Sequence, residues 1–271
     1  MRATATQISC LLFALTACSA DKGSDTSSTS DTSDTSDSSA TITHYTLSGT
    51  AIAFGAARLP ASEGACVTVL DPQGGIEGGT PQTLGTTTVG ADGSFSVADI
   101  PAYEQPPLIL IDDCGAQPPQ LFPTGTPVQP ELLAGVTDGD TVDGVIAVSL
   151  DVDHLDSLTS ALTAAGSTAN VTTDGMMFGF IWSTTDQSPI PNAQIQCTGC
   201  TVYYGDADDS DGLFSTAGVL NTATSDLSFF VSPAAPITTY TVSASGYTFD
   251  TVTVGAIPKG AMFAILGGTP G

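Results

Sequence analysis

Four sequence blocks occur twice in the same order, and this internal repeat constrains the fold more than any other feature of the chain. Residues 88–97 align without gaps with residues 222–231, with an Asp, a Ser and a Phe in the same places. Three further blocks keep the order: residues 47–52 match 177–182, 64–69 match 192–197, and 144–150 match 260–266. The repeat predicts a fold built from two copies of one structural unit.

Each block has the composition of a short β-strand. Residues 240–244 alternate apolar and polar side chains, which is the period of a half-buried strand, and residues 248–254 are rich in β-formers. Residues 108–111 are continuously apolar, as in a fully buried strand, and Asp92-Gly93 is a turn signal directly before a strand. These patterns predict an all-β fold of two antiparallel β-sandwich modules.

The segment 151–173 interrupts the β pattern between the two copies. Leu155, Leu158, Leu162 and Ala165 recur at helical spacing, with Asp153 as the expected N-cap and Gly166 as the expected C-terminal stop. We expect a connecting helix and linker that packs its leucine stripe on a module and spaces the two sandwiches. The modules then cover residues 42–150 and 174–268.

The order of the blocks resembles that of carboxypeptidase regulatory-like domains. Residues 240–247, Tyr-Thr-Val-Ser-Ala-Ser-Gly-Tyr, match the last phrase of that family, whereas the first copy has residues 107–114 in that place. The family's domains are transthyretin-like β-sandwiches grouped with carbohydrate-binding-like folds. The resemblance covers residues 44–150 and 174–267. It implies that the chain contains domains of the non-catalytic accessory type and not the zinc-dependent carboxypeptidase from which the family takes its name.

The sequence lacks the motifs of an enzyme. Its two histidines are His44 and His154, and neither begins a His-x-x-Glu zinc motif. A Ser-His-Asp triad would need one of them as its base, and no Gly-x-Ser-x-Gly or P-loop motif is present. Carboxylates surround His154 in the sequence, but acidic residues are expected at the N-terminus of a helix because of the helix dipole. They therefore do not indicate a catalytic site. We therefore expect a protein without catalytic activity or cofactor.

The N-terminus carries an export signal. Arg2 supplies a positive charge, and residues 8–15 form an apolar run too short to span a bilayer. Residues 15–18, Leu-Thr-Ala-Cys, resemble the lipobox of bacterial lipoproteins. This resemblance implies removal of residues 1–17 and a lipid anchor on Cys18. Ser19 after the cysteine implies the outer membrane of a Gram-negative bacterium, and a secretory signal cleaved after Ala17 is the alternative.

Charge and composition restrict the partners. Residues 18–41 are rich in Ser, Thr and Asp and contain almost no apolar side chain, which predicts a disordered tether. The whole chain has 28 acidic residues against 4 lysines and arginines. Such a balance excludes nucleic acid and basic contacts with anionic lipid headgroups. The remaining partners are the membrane, through the lipid, and a glycan or an envelope protein.

Four of the six cysteines remain once Cys10 is removed with the signal peptide and Cys18 is used by the lipid. An even number in an oxidising compartment predicts two structural disulfides, and four cysteines allow three pairings. We favour Cys66–Cys114 in the first module and Cys197–Cys200 in the second, because a long chain segment separates the two repeats. One alternative for the second pair is a redox CxxC motif, but the sequence around it lacks the βαβ pattern of such proteins. The other alternative is a zinc site, but no histidine lies near these cysteines.

Two weaker patterns concern ligands. The first is a group of four carboxylates, which belong to Asp206, Asp208, Asp209 and Asp211. Their loop does not fit an EF-hand but could hold Ca²⁺, and the alternative is a solvated turn without a metal.

Four aromatic residues are candidates for a sugar-binding platform: Trp182, Tyr203, Tyr204 and Tyr247. The sequence thus favours a structural or adhesive lipoprotein of the cell envelope, with a carbohydrate-binding lipoprotein as the alternative.

Overall fold

Strands dominate the computed structural model, which describes residues 43–54, 60–73, 81–103, 105–206 and 222–271. The predicted signal peptide, the lipidated Cys18 and the tether lie outside these residues, as do Asp208, Asp209 and Asp211. Residues 42–271 form one compact unit. The prediction of an all-β protein is confirmed within it.

The strands in chain order are β1 (His44–Ala53), β2 (Cys66–Asp71), β3 (Gln82–Thr88), β4 (Ser94–Pro101), β5 (Leu108–Asp112), β6 (Leu121–Phe122), β7 (Thr124–Pro127), β8 (Thr141–Asp151), β9 (Met176–Ser183), β10 (Gln194–Cys197), β11 (Tyr203–Tyr204), β12 (Phe229–Pro233), β13 (Thr238–Ser243), β14 (Tyr247–Phe249), β15 (Val252–Val254) and β16 (Ala261–Pro270). The helices are α1 (Val152–Ala164), the one-turn α2 (Val171–Asp174) and a 3-10 helix (Pro130–Leu133).

The two repeats form the same three-stranded arrangement. In the first, β1 pairs antiparallel with β4 and parallel with β8. In the second, β9 pairs antiparallel with β12 and parallel with β16. The strand orders β4-β1-β8 and β12-β9-β16 therefore correspond, as the repeated blocks predict. The parallel pairs make these sheets mixed, whereas the sequence suggested antiparallel pairing alone.

One glycine in each repeat allows the parallel strands to approach closely. A Cβ atom built on Gly49 would fall on the carbonyl oxygen of Val145 in β8, and one built on Gly179 would fall on that of Ala264 in β16. The register agrees, because Gly49 pairs with Val145 and Gly179 with Ala264. These two glycines, aligned with each other in the sequence, hold equivalent positions in the fold.

The last sequence block is shifted in the structure relative to its sequence alignment. That alignment matches Val145 with Ala261, but the strand register makes Val145 equivalent to Ala264. In β8 the register also skips a residue beside Gly144, which has a φ of 79°. A left-handed glycine at such an irregularity marks a β-bulge. Gly144 and Gly260 are thus unrelated in structure.

A nine-stranded sheet runs through both repeats. Its order is β11-β12-β9-β16-β7-β5-β2-β3, with β14 paired to the far end of β16. The join is a short parallel pairing of β16 with β7, in which Ala261 lies opposite Thr124 and Met262 opposite Gly125. Two smaller sheets, β4-β1-β8-β6 and β10-β13-β15, complete the described residues. Backbone hydrogen bonds therefore connect the repeats directly.

Each repeat has its own apolar cluster, and a third cluster belongs to both. We call the third cluster the shared core. Its largest buried members are Phe54, Phe122, Val148 and Leu150 from the first repeat, Leu155, Leu158 and Leu162 from α1, and Met176, Phe178, Phe180, Phe229, Val231 and Phe263 from the second repeat. The rings of Phe54 and Phe178 meet edge to face, with centroids 4.7 Å apart. Helix α1 thus covers a core that both repeats share, and it does not space two separate sandwiches.

Strand β9 shows how the sequence produces this arrangement. All eight of its residues, Met176–Ser183, are buried. Phe178 and Phe180 face the shared core, while Met177 and Ile181 face the cluster of the second repeat. A strand covered on both faces needs an apolar residue at every position rather than at alternate positions. By contrast, β1 buries Tyr45 and Leu47 and leaves Thr46 between them partly exposed.

Helix α1 begins two residues earlier than the sequence suggested and ends where it suggested. Asp151, rather than Asp153, holds the N-cap position, and its side chain accepts no capping hydrogen bond. At the other end, Gly166 has a φ of 92° and its N–H donates to the Thr163 carbonyl, while Ser167 N–H donates to the Leu162 carbonyl. This pair of bonds is the Schellman motif, which stops a helix.

We predict that Leu158→Ala lowers the free energy of unfolding by about 3 kcal/mol, because Leu158 is buried in the shared core and its removal leaves a cavity. Thr163→Ala on the exposed face of the same helix is the matched control, with an expected change within about 0.5 kcal/mol. Urea denaturation measures both. Equal changes in the two variants would show that α1 does not seal this core.

Candidate functional site

The two histidines do not form catalytic arrangements in the described residues. His154 Nδ1 lies 3.8 Å from the Asp151 carboxylate in the first turn of α1, and both side chains are more than two-fifths exposed. His44 begins β1, where its backbone N–H donates to Asp138 Oδ1 at 2.8 Å. The His154–Asp151 contact is open to solvent, and the contact of His44 with Asp138 is made by its backbone N–H rather than by its imidazole.

The four cysteines form the two predicted disulfides. Cys66 in β2 is bonded to Cys114, with Cα atoms 5.2 Å apart, and Cys197 at the end of β10 is bonded to Cys200, with Cα atoms 5.8 Å apart. Asp112 lies beside the first disulfide, and its Oδ1 accepts the Cys114 N–H at 2.8 Å. Because both sulfur atoms are in the disulfide, this group cannot act as a thiolate metal site.

The aromatic residues considered for a sugar platform are mostly internal. Trp182 in β9 is 8% exposed and stacks on Phe180. Tyr204 is 5% exposed, and its hydroxyl accepts the Ile195 N–H at 2.8 Å. Burial raises the pKa of the Tyr204 hydroxyl, so this group remains neutral at physiological pH.

The other two aromatic candidates are half-buried and lie apart. Tyr203 packs against the shared core, whereas Tyr247 packs against the cluster of the second repeat. Sugar platforms need exposed rings in one plane, so the structure does not assemble one from Trp182, Tyr203, Tyr204 and Tyr247. The aromatic composition of these strands serves packing.

Several of the carboxylates that the structure describes organise turns. Asp92 Oδ1 accepts the Ser94 N–H at 3.0 Å, and Asp186 Oδ1 accepts the Ser188 hydroxyl at 2.8 Å. Hydrogen bonds from these serines lower the pKa of both aspartates, so each stays charged at neutral pH. Of the calcium candidates, Asp206 follows β11 and the other three lie outside the described residues. Calcium binding there stays a prediction.

Strand β3 was not singled out from the sequence. Among the described residues it ends the order of the nine-stranded sheet and pairs with β2, and its Gly85 lies beside Val97 and Ile100 of β4. Its seven residues, Gln82–Thr88, carry no charge and include no proline. The signal was available in the sequence as the uncharged run Thr86-Thr87-Thr88.

Comparisons with known proteins give no family for this chain. No protein-family model matches it, and no curated protein matches it. Several solved structures align over 84% of the chain, at TM-scores too low to carry an argument about family or function. They include the shaft pilin SpaA from Lactobacillus rhamnosus GG (9% identity, 98% of that chain, TM-score 0.24), the Bacillus anthracis TIE protein (13%, 34%, 0.24) and a streptococcal ancillary pilin (11%, 69%, 0.23).

No helix in the described part of the chain has the length and apolar character to cross a bilayer. Helix α1 has 13 residues, and a spanning helix needs about 20.

Proposed function

We propose that the protein is a non-enzymatic lipoprotein that displays a rigid β scaffold at the cell envelope for structural or interaction purposes. The observation that supports this most is the fusion of the two repeats into one unit, Ile42–Gly271, directly after the acidic tether. Strand pairing of β7 with β16 and the shared core hold the repeats together. A body joined in this way transmits force and keeps its surfaces in fixed relation.

The side chains of the scaffold fit this role better than a catalytic one. Most of its described aromatic rings are packed in cores, with Tyr103 exposed, its described cysteines are in disulfides, and the turn residues Asp92 and Asp186 are bonded to nearby serines. High acidity keeps such a surface soluble and well hydrated. We include in the proposal that each repeat is a divergent module of the carboxypeptidase regulatory-like type, supported by the block order and by the matching strand pairing.

The location is part of the same proposal. The lipobox-like residues 15–18 support lipidation of Cys18, and Ser19 supports sorting to the outer membrane. Each buried CH₂ of an acyl chain contributes about 0.8 kcal/mol to membrane binding, so several chains on one cysteine hold the protein firmly. The tether of residues 18–41 then separates the scaffold from the bilayer.

Replacing Cys18 tests the anchor. Cys18→Ala is expected to move the protein from the membrane fraction to the soluble fraction almost completely, because the acylated side chain is lost. Cys10→Ala, in the apolar run of the signal, is the matched control and should leave the protein in the membrane fraction. Fractionation with immunoblotting, together with metabolic labelling by a fatty acid, measures both. Continued membrane binding of Cys18→Ala would refute the lipid anchor.

A further inference from the structure

We propose that the Cys197–Cys200 disulfide is a redox-sensitive switch, and that it is a substrate for reversible reduction by an external dithiol. We call it the turn disulfide, because it closes the turn between β10 and β11. Thr198 and Gly199, the two residues inside the turn, are exposed. The inference goes beyond the proposed scaffold, since it gives one corner of the second repeat two states. The chain is the substrate of thiol–disulfide exchange here, and not its catalyst.

The exchange is a two-electron reduction in two steps. A thiolate of the dithiol attacks one sulfur atom of the turn disulfide, which forms a mixed disulfide and releases the other cysteine as a thiolate that takes up a proton. The second thiol of the dithiol loses its proton and displaces the remaining cysteine sulfur, which is protonated in turn. The protein gains two thiols, and the dithiol is oxidised to its own disulfide. The reverse reaction restores the bond.

The chain on either side of the turn is held by bonds other than the disulfide. Cys197 lies opposite Tyr240 in the antiparallel pairing of β10 with β13. After the turn, the Thr201 carbonyl accepts the hydroxyl of Ser232 in β12 at 2.9 Å. Reduction therefore releases the turn itself, while the flanking segments keep their positions in the fold.

A buried hydroxyl near the turn favours the reduced state. Tyr240 is fully buried in the cluster against which Cys197 and Cys200 pack, and its hydroxyl has no hydrogen-bond partner. Burial raises the pKa of Tyr240, and the nearby Ser232 opposes this rise, but Ser232 donates its own proton to the Thr201 carbonyl. A buried hydroxyl without a partner destabilises the state that contains it. Once the turn is free to move, one of its carbonyl groups accepts the Tyr240 proton, and this bond relieves the cost.

The other disulfide lies beside a negative charge that opposes exchange. The Asp112 carboxylate and the sulfur atoms of Cys66 and Cys114 all lie within 4.8 Å of one another. Both the attacking group and the leaving group of the exchange are thiolates. A unit charge at this distance disfavours a thiolate about fourfold even in the dielectric of water. Among the described residues, no carboxylate lies this close to both sulfur atoms of the turn disulfide.

Position in the fold adds to this difference. Cys66 lies inside β2, between β3 and β5, and the N–H of Cys114 is held by Asp112. Their thiols stay aligned after reduction, so the bond re-forms at a high effective concentration. Cys197 is instead the last residue of β10, and Cys200 lies in no strand. Cys114 is the more exposed member of its pair, so access alone would favour attack there, but charge and alignment both oppose it.

Graded reduction of the folded full chain tests the selectivity. The protein is equilibrated with a series of dithiothreitol concentrations, free thiols are blocked with N-ethylmaleimide, and mass spectrometry of peptides identifies the labelled cysteines. We expect Cys197 and Cys200 to be labelled at a dithiothreitol concentration at least tenfold lower than Cys66 and Cys114. The matched control is the same titration in concentrated urea. There the order should reverse, because an unfolded chain closes the longer loop less easily.

Tyr240→Phe tests the second state of the turn. Removal of the hydroxyl takes away the cost that favours reduction, so the dithiothreitol midpoint of the turn disulfide should rise about fivefold, with the other midpoint unchanged. Tyr45→Phe, at a buried position of the first repeat, is the matched control and should change neither midpoint. The fluorescence of the buried Trp182 verifies that both variants are folded.

Hydrogen exchange supplies an independent readout of the released turn. Exchange in residues 198–200 should increase on reduction, while exchange in β13 stays the same. Labelling of all four cysteines at one dithiothreitol concentration, or labelling of Cys66 and Cys114 first, would overturn the inference. An unchanged midpoint in Tyr240→Phe would also overturn it, since the hydroxyl would then favour neither state of the turn.

Discussion

Gly179→Ala is expected to lower the free energy of unfolding by more than about 3 kcal/mol. The alanine Cβ would fall on the backbone carbonyl oxygen of Ala264 in the neighbouring parallel strand, and two further backbone atoms of Ala264 lie close by. Overpacking usually costs about 1–3 kcal/mol when side chains can adjust. Here the obstacle is backbone in the middle of β16, so β9 and β16 must separate.

The consequence extends beyond one strand pair. Strand β9 is buried on both faces, with Phe178 and Phe180 in the shared core and Met177 in the cluster of the second repeat. Displacement of β9 from β16 therefore disturbs two cores at once. This is the physical reason to expect a larger effect from one added methyl group than from most core truncations.

Gly90→Ala is the matched control for this variant. Its added Cβ meets the side-chain oxygens of Asp92 and Ser94 at 3.2 Å, and side chains can rotate away. We expect a change below about 1 kcal/mol. The single tryptophan, Trp182, is buried in β9, so its fluorescence in a urea titration reports unfolding of both variants. A Gly179→Ala protein as stable as Gly90→Ala would refute the proposed close approach.

Much of the fold follows from local patterns in the sequence. The repeated blocks became corresponding strands, and the leucine stripe of residues 155–162 became the buried face of α1. Gly166 ended the helix as expected, because a left-handed glycine supplies the Schellman geometry. These features depend on neighbours close in the chain, so a single sequence contains the information.

The shared core depends on contacts between distant segments. A sequence gives each strand's pattern but not the direction or identity of its neighbours, so the parallel pairing of β16 with β7 had no local signal. One signal was nevertheless present. The continuous apolar run of residues 176–182 differs from the alternation in β1, and a strand of this kind is covered on both faces.

The candidate ligand residues show the limit of composition as a guide to function. In a strand buried on both faces, an aromatic residue at any position is internal, which explains why Trp182 faces packing atoms rather than solvent. Tyr204 is fixed by the bond of its hydroxyl to the Ile195 backbone. Neither contact can be inferred from spacing, because the partner strands are set by the tertiary fold.

The two disulfides are expected to contribute unequally to stability. Cys66 and Cys114 are 48 residues apart, whereas Cys197 and Cys200 are 3 apart. Closing a longer loop removes more conformational entropy from the unfolded chain. This loss raises the free energy of unfolding by about 4 kcal/mol for the first disulfide and by about 2 kcal/mol for the second. The Cys66→Ser/Cys114→Ser double variant should therefore be the less stable of the two double variants.

Urea titrations of the two double variants, compared with the parent chain, measure this difference. Replacing both partners avoids a free thiol that could exchange with the remaining disulfide. Cys66 lies opposite Asp112 in the pairing of β2 with β5, so these strands stay joined by backbone hydrogen bonds when the disulfide is removed. The loss should therefore come from the unfolded state and appear as a lower urea midpoint, with a native state that still buries Trp182. A larger loss from Cys197→Ser/Cys200→Ser would contradict the loop argument and would locate the greater constraint in the second repeat.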